Sequence, residues 1–174
     1  RKYVPKKMQL ALTVALEHYT AIIAEQLLRE DFHQEMFRDR EALKLWMWHA
    51  LEENEHKTVA FDVYEQVGGG YLTRVSTMLV GTLVFAVVVV SGHLRLLKAD
   101  GQLTNWKANW RGLKFLWGWK GLFPRLGRQY FDFYRPGFHP SDHDTVELLE
   151  DWRQRMLNDG GLLAEQTYSK SRKA

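Results

Sequence analysis

Cysteine is absent from the 174 residues, which removes disulfides and thiolate metal ligation together. A reducing compartment is compatible with that absence, and a cytoplasmic location is the expectation. Nothing at the N-terminus reads as a secretory signal peptide. The chain begins at Arg1 rather than Met, so a fragment, a processed form or a trimmed chain is expected, the C-terminal part of a longer protein. Internal repeats and low-complexity tracts are missing. Acidic residues are nearly missing from the middle: residues 75–135 hold 2 against 9 basic ones, whereas residues 1–74 hold 12 against 10 and residues 136–174 hold 7 against 5. The net charge of +3 therefore belongs to the middle, and so does any anionic partner.

What is present is a hydrophobic content of 45% with seven Trp, enough for one helical domain with a real core rather than a disordered chain. Pro5 opens a first helix, near residues 6–30. Its apolar stretch MQLALTVALEHYTAIIA carries two ionisable residues, Glu17 and His18. With Leu10, Thr13, Ala21, Ala24 and Leu28 on its own face, Glu17 needs a ligand, a proton or a partner from another element. Asp39 is placed to cap a second helix, near residues 40–67, which stops at Gly68-Gly69-Gly70.

That second helix contains LWMWHALEENEHKTVAFDVY. His49, Glu52, Glu53 and His56 recur at i, i+3, i+4 and i+7 and share one face. The same face carries Ala42, Leu45, Trp46, Ala60, Val63 and Val67, so it reads as the core side, with Lys44, Leu51, Asn54, Glu55, Thr58, Asp62 and Glu65 on the solvent side. Carboxylates and imidazoles on a core stripe cost several kcal/mol each to desolvate without compensation, and a bound metal compensates them. Glu17 and Glu53 are equidistant from position 35, in the connector REDFHQEMFRDR. An antiparallel hairpin closing there sets Glu17 level with Glu53 and His56, with Glu55 pointing away and His49 roughly 10 Å along the axis from His56. Without metal, Glu17 is expected to be protonated or to hydrogen-bond His56 or His49.

Val75 to Gly92 then runs 18 residues without a charge, the lower limit for crossing a bilayer. Its Ser76, Thr77, Thr82 and Ser91 favour the alternative, a buried central helix of a soluble bundle near residues 72–98. A strand over Val87 to Val90 has no neighbouring pattern to pair with. In the next helix, near 104–117 with Thr104 as cap, Trp106, Trp110, Leu113 and Trp117 form one stripe and Lys107, Arg111 and Lys114 another. That composition suits peripheral membrane contact as well as packing on the bundle, and residues 75–134 read alternatively as a membrane-surface module. Nucleic acid is disfavoured, since no nucleic-acid module accompanies the basic and aromatic residues. From Gly118 the chain breaks at Gly121, Pro124 and Gly127. His139, Asp142 and His143 form a secondary candidate metal cluster in a Pro-punctuated turn, competing with a role as caps and solvated loop groups. Asp144 and Glu147 form a capping box for a last helix, near 144–158, and the tail SKSRKA is expected to fray.

ALTVALEHYTAIIAE, WHALEENEHKTVAFDVY before a Gly cluster, and YRPGFHP together resemble the bacterial family described as predicted metal-dependent hydrolases, itself similar to ferritin-like di-metal carboxylate proteins. The resemblance spans roughly Leu10 to Asp142 and implies an all-α, partial ferritin-like bundle. The chain itself is expected to be a single helical domain over 1–174, with a metal-ligand hairpin over 1–67, apolar and basic-aromatic helices over 72–135, and a C-terminal helix and tail over 136–174. Ferritin-like sites take single Glu residues from two helices and Glu-x-x-His from two more. Glu17 matches the former and Glu53 with His56 the latter, as ligands of a divalent metal: iron first, zinc or manganese next. Glu52 is the candidate catalytic proton acceptor, with His49 and His18 orienting the carboxylates. No second Glu-x-x-His follows residue 56, so the chain holds half a site. Ligands upstream of Arg1, a homodimer, or a single or lost metal each account for that. The resemblance implies hydrolysis of a small-molecule substrate; dioxygen activation at di-iron and a non-catalytic bundle are the alternatives.

Overall fold

A computed structural model describes residues 4–29, 34–35, 37–119, 121–158 and 161. The described residues contain helices and no strand. They are α1 (Lys6–Arg29), α2 (Arg40–Glu55), α3 (Val59–Gln66), α4 (Tyr71–Ala99), α5 (Trp106–Trp117), α6 (Leu122–Asp132), a 3₁₀ turn (Pro140–Asp142) and α7 (Val146–Leu157). The connector residues 30–33 and 36 and the tail SKSRKA lie outside the described residues.

Local chemistry sets most of these ends. The Asp39 carboxylate accepts from the amides of Glu41 and Ala42 at 2.9 and 3.3 Å, which satisfies donors that the first turn of α2 leaves open. Gly68 closes α3 at φ +71°, a conformation in which a side chain is strained. Asn105, not Thr104, caps α5, its side chain accepting from Ala108 N. Asp144 accepts from Val146 N at 3.0 Å at the start of α7.

Three expectations are corrected. The expected single helix over 40–67 is two, because the axis breaks at His56, Lys57 and Thr58. Lys57 lies between them, its ammonium donating to the His143 carbonyl and to Thr145 Oγ1, off the line a continuous helix would follow. The broken stretch after Gly118 contains an 11-residue helix, α6. Its Pro124 falls in the first turn, where a missing N–H costs nothing. The face of α2 that packs is Met47, Ala50, Leu51 and Asn54, which includes two residues expected in solvent, while Leu45, Trp46, Val63 and Val67 are exposed.

The core has two apolar centres threaded by α1. One gathers Ala11, Val14, Ala15, Phe61, Tyr64, Met78, Phe133 and Phe138, and the other Ala24, Leu28, Met47, Ala50, Leu51, Leu149, Trp152 and Met156. Alanines at four of these α1 and α2 positions let the backbones approach, and Trp152 Nε1 donates to the Leu28 carbonyl at 3.0 Å. Arg74, also buried, crosses the first centre. Its guanidinium donates to the carbonyls of Phe138 and Arg135 at 3.2 and 2.9 Å and lies 5.2 to 5.7 Å from the rings of Phe61, Tyr71, Phe133 and Phe138.

The uncharged run does form one helix, α4, but the expectation that it lies buried in the bundle is not met. Its buried residues are Arg74, Thr77, Met78 and Gly81, all in the first half. Gly81 permits close approach to α1: a Cβ there would meet Leu12 Cδ1 at 3.4 Å. Beyond Thr82, linked to Tyr19 and Tyr130 through hydroxyl contacts, and the Phe85 ring stacked on Tyr19, α4 leaves the packed body.

Candidate metal centre

The α1–α2 hairpin brings Glu17, Glu53 and His56 together. One ligand atom from each lies within 4.8 Å of the other two, the one such group of His and acidic residues among the described residues. Glu17 comes from the middle of α1, Glu53 from the last turn of α2, and His56 is the residue that ends α2, with φ −111° and ψ 16° and its amide donating to Glu52 O. The helix break thus sits at the site itself, and it turns the His56 ring from a continuous helical path. All three residues are part-exposed, so the cluster occupies a half-open face and not the buried stripe expected from periodicity.

The polar contacts within the cluster are incomplete. His49 Nε2 lies 3.3 Å from Glu53 Oε1 across one turn of α2, and the ring of Trp46 stands edge-on to His49 at 5.9 Å. His56 Nδ1 is 3.9 Å from Glu17 Oε2, beyond hydrogen-bond range, and Glu17 Oε2 is buried with no hydrogen-bond partner. The expected bond from Glu17 to His56 or His49 is therefore not made. An orphaned carboxylate oxygen, the most costly kind of buried polar atom, faces two further donors of electron pairs. That fits a cation. Ligand bonds of about 2.0–2.2 Å put atoms on opposite sides of an ion roughly 4 Å apart, so a small rotamer adjustment closes the 4.8 Å spread.

The remaining candidates are placed as follows. Glu52 is part-exposed on the turn next to Glu53 and is not among the converging ligands. Glu55 points away, bound to Arg153 Nε at 2.7 Å. His18, one residue and about 100° round the helix from Glu17, is buried against Phe133 and Phe138 and donates from Nε2 to the Gln129 carbonyl at 3.1 Å. Burial holds its pKa down at about 4, the hydrogen bond opposing this only in part. It packs in the core, with Gln129 rather than a carboxylate of the cluster as its polar partner. His139, Asp142 and His143 do not converge either. His139 caps the 3₁₀ turn and bonds Asp62 Oδ1 at 2.8 Å, Asp142 pairs with Arg135, and His143 Nε2 bonds Asp132 Oδ2 at 3.0 Å.

A polar layer between the two apolar centres was not anticipated. Glu25, buried, holds Arg29 Nε at 2.7 Å and accepts from Gln129 Nε2 at 2.8 Å. Lys57, whose pKa burial lowers, reaches His143 and Thr145, and Asn54 donates to the carbonyls of Ala21 and Ala50 at 3.4 and 3.0 Å. The sequence signal was available in part: Glu25 lies seven residues after His18 and four before Arg29, the spacing of one helical face. Gln129 and Asp132 depended on recognising α6. Glu25 is satisfied by Arg29 and Gln129, whereas Asn54 Oδ1 and Gln129 Oε1 are buried with no hydrogen-bond partner.

Residues 1–144 match the family described as predicted metal-dependent hydrolase. The chain belongs to that family. No curated protein and no solved structure matches it. The family description names metal dependence, and among the described residues the Glu-Glu-His cluster is the group of His and acidic side chains close enough together to hold an ion.

Proposed function

We propose that this member of the metal-dependent hydrolase family holds a divalent cation on Glu17, Glu53 and His56 and hydrolyses a small-molecule substrate at its open face. The observation that carries the reading is the convergence of three ligand atoms within 4.8 Å around an oxygen that has no other partner. When bound, such a cation supplies Lewis-acid polarisation of a substrate oxygen and acidifies water. Two carboxylates with one imidazole weight the choice toward iron or manganese, with zinc third. Three protein ligands on a part-exposed surface leave room for substrate, as catalytic rather than structural sites do.

The chain's own groups have separable tasks. His49 holds Glu53 by its 3.3 Å contact, fixing which carboxylate oxygen turns to the site. Glu52 accepts a proton from the attacking water and returns it to the leaving group, so water adds across the cleaved bond with no other reactant consumed. Trp46, beside His49, supplies an apolar wall. The same donor set also suits iron-dependent oxygen chemistry in a ferritin-like di-iron arrangement, which is the second reading.

The test is hydrolysis of a panel of chromogenic esters and phosphoesters by protein loaded with iron, manganese or zinc, comparing wild type with Glu52→Gln. Turnover that requires metal, and that Glu52→Gln lowers by about a hundredfold or more without loss of metal, supports the reading. Metal-dependent oxygen consumption without hydrolysis favours the second.

A further inference from the structure

We infer that residues 83–119 form a membrane-docking arm: the free half of α4 embeds in the outer part of an anionic lipid leaflet, and α5 lies beside it at headgroup level. The starting observation is that α4, 29 residues long and apolar enough to cross a membrane, has only 17% of its most apolar window buried. A helix that serves as the core of a soluble bundle is apolar because neighbours cover it. Here no residue of α4 after Gly81 is buried, and Val87, Val88, Val89 and Val90 are 69, 60, 46 and 56% exposed.

Those four valines point in directions 100° apart, so apolar surface faces outward around nearly the whole helix. A protein partner, including a second copy of this chain, covers one stripe of a helix; acyl chains cover it all round. Length decides the mode of insertion. The uncharged stretch beyond the last contact with the body, the Phe85 ring on Tyr19, is residues 86–92, about 10 Å long or a third of the ~30 Å hydrocarbon thickness, which is too short to span. Farther on, Ser91, Arg95 and Lys98 follow at i, i+4 and i+7 and form one polar stripe. That stripe suits a helix lying in the interfacial plane with its cations reaching the phosphates.

The second half of the arm agrees independently. α5 has no buried residue; Trp106, Trp110 and Trp117 form its exposed apolar stripe, with Trp119 just beyond at 97% exposure. Lys107, Arg111 and Lys114 flank that stripe, Lys114 lying 5.7 Å from the Trp110 ring. Tryptophan beside lysine and arginine is the composition that settles between headgroups and acyl chains. Between Arg74 and Asp132 the chain carries one acidic residue, Asp100, so the charge complementarity is to an anionic surface.

The experiment is flotation of the full chain with vesicles of phosphatidylcholine alone or mixed in equal parts with phosphatidylglycerol, for wild type, Val87→Asp/Val90→Asp and Lys107→Gln/Arg111→Gln. The expected result is flotation with the anionic vesicles, a loss of partitioning of about fivefold per removed cation, and no flotation of the aspartate variant. Both valines lie outside the packed body, so circular dichroism should report an unchanged fold. In parallel, wild-type tryptophan emission should shift to the blue and be quenched by brominated acyl chains, a measurement that needs no variant. Absence of flotation with either vesicle overturns the proposal, as does equal flotation of wild type and the aspartate variant. A solution dimer that the two aspartates dissociate, without vesicle binding, assigns the arm to a second copy instead.

Discussion

His49 and Glu53 face each other across one turn of α2, with Nε2 3.3 Å from Oε1, and this contact reaches the proposed metal site without adding a ligand to it. Removing it by His49→Ala frees the Glu53 carboxylate to rotate while leaving Glu17 and His56 in place. Loss of such an orienting partner typically weakens metal affinity by 10- to 100-fold. Calorimetric titration with Mn²⁺ should show that loss, with His49→Gln retaining more affinity because its amide can still donate to the carboxylate.

His18 sets a pH dependence that is independent of metal. Its pKa falls from 6.5 to about 4 on folding because burial disfavours the charged ring. The unfolded chain then binds more protons than the folded one between these values, so stability rises with pH there. The effect is absent above pH 6.5, grows as pH falls toward 4, and reaches a ceiling of about 3 kcal/mol. Urea unfolding at successive pH values should show this slope, and His18→Gln, which keeps a donor for the Gln129 carbonyl, should flatten it.

Arg74 is the polar pin of the first apolar centre. Arg74→Leu leaves the Phe138 carbonyl without its guanidinium donor and takes one of two donors from the Arg135 carbonyl, which the Phe138 amide also reaches at 3.2 Å; a buried acceptor left open costs about 1–3 kcal/mol, and the guanidinium's contacts with four rings are lost as well. Chemical denaturation should show a destabilisation of about 3 kcal/mol, and Arg74→Lys should recover only part because one ammonium cannot reproduce the planar two-armed contact.

The parts of this architecture that were legible in the sequence rest on periodicity and on turn chemistry. Asp39, the Gly68 cluster and the equal spacing of Glu17 and Glu53 about position 35 were sufficient to read the hairpin and the side chains it brings together. The inward face of α2 was not legible, because Trp46 and Val63 look like core to a hydrophobicity pattern while Asn54 does not. Packing on α1 and α7 decided otherwise, burying Leu51 and Asn54. α6 was hidden by glycines and a proline that are harmless at its first turn and interior. With α6 missed, the partners of His18 and His143 were missed too, and His18 read as a neighbour of the metal ligands when its ring belongs to the core. The break at His56 has no Gly or Pro to announce it, and depends on Lys57 reaching residues 143 and 145, 86 and 88 positions away.

The most direct test is the metal content of purified chain after loading with iron, manganese or zinc and removal of free ion, measured by elemental analysis for wild type, Glu17→Gln, Glu53→Ala, His56→Ala and Glu55→Ala. Wild type and Glu55→Ala should retain the cation in equal, stoichiometric amounts. Glu53→Ala and His56→Ala should retain none, and Glu17→Gln should be strongly depleted. Metal held equally by all five proteins, or by none of them, contradicts the assignment of Glu17, Glu53 and His56 as the centre.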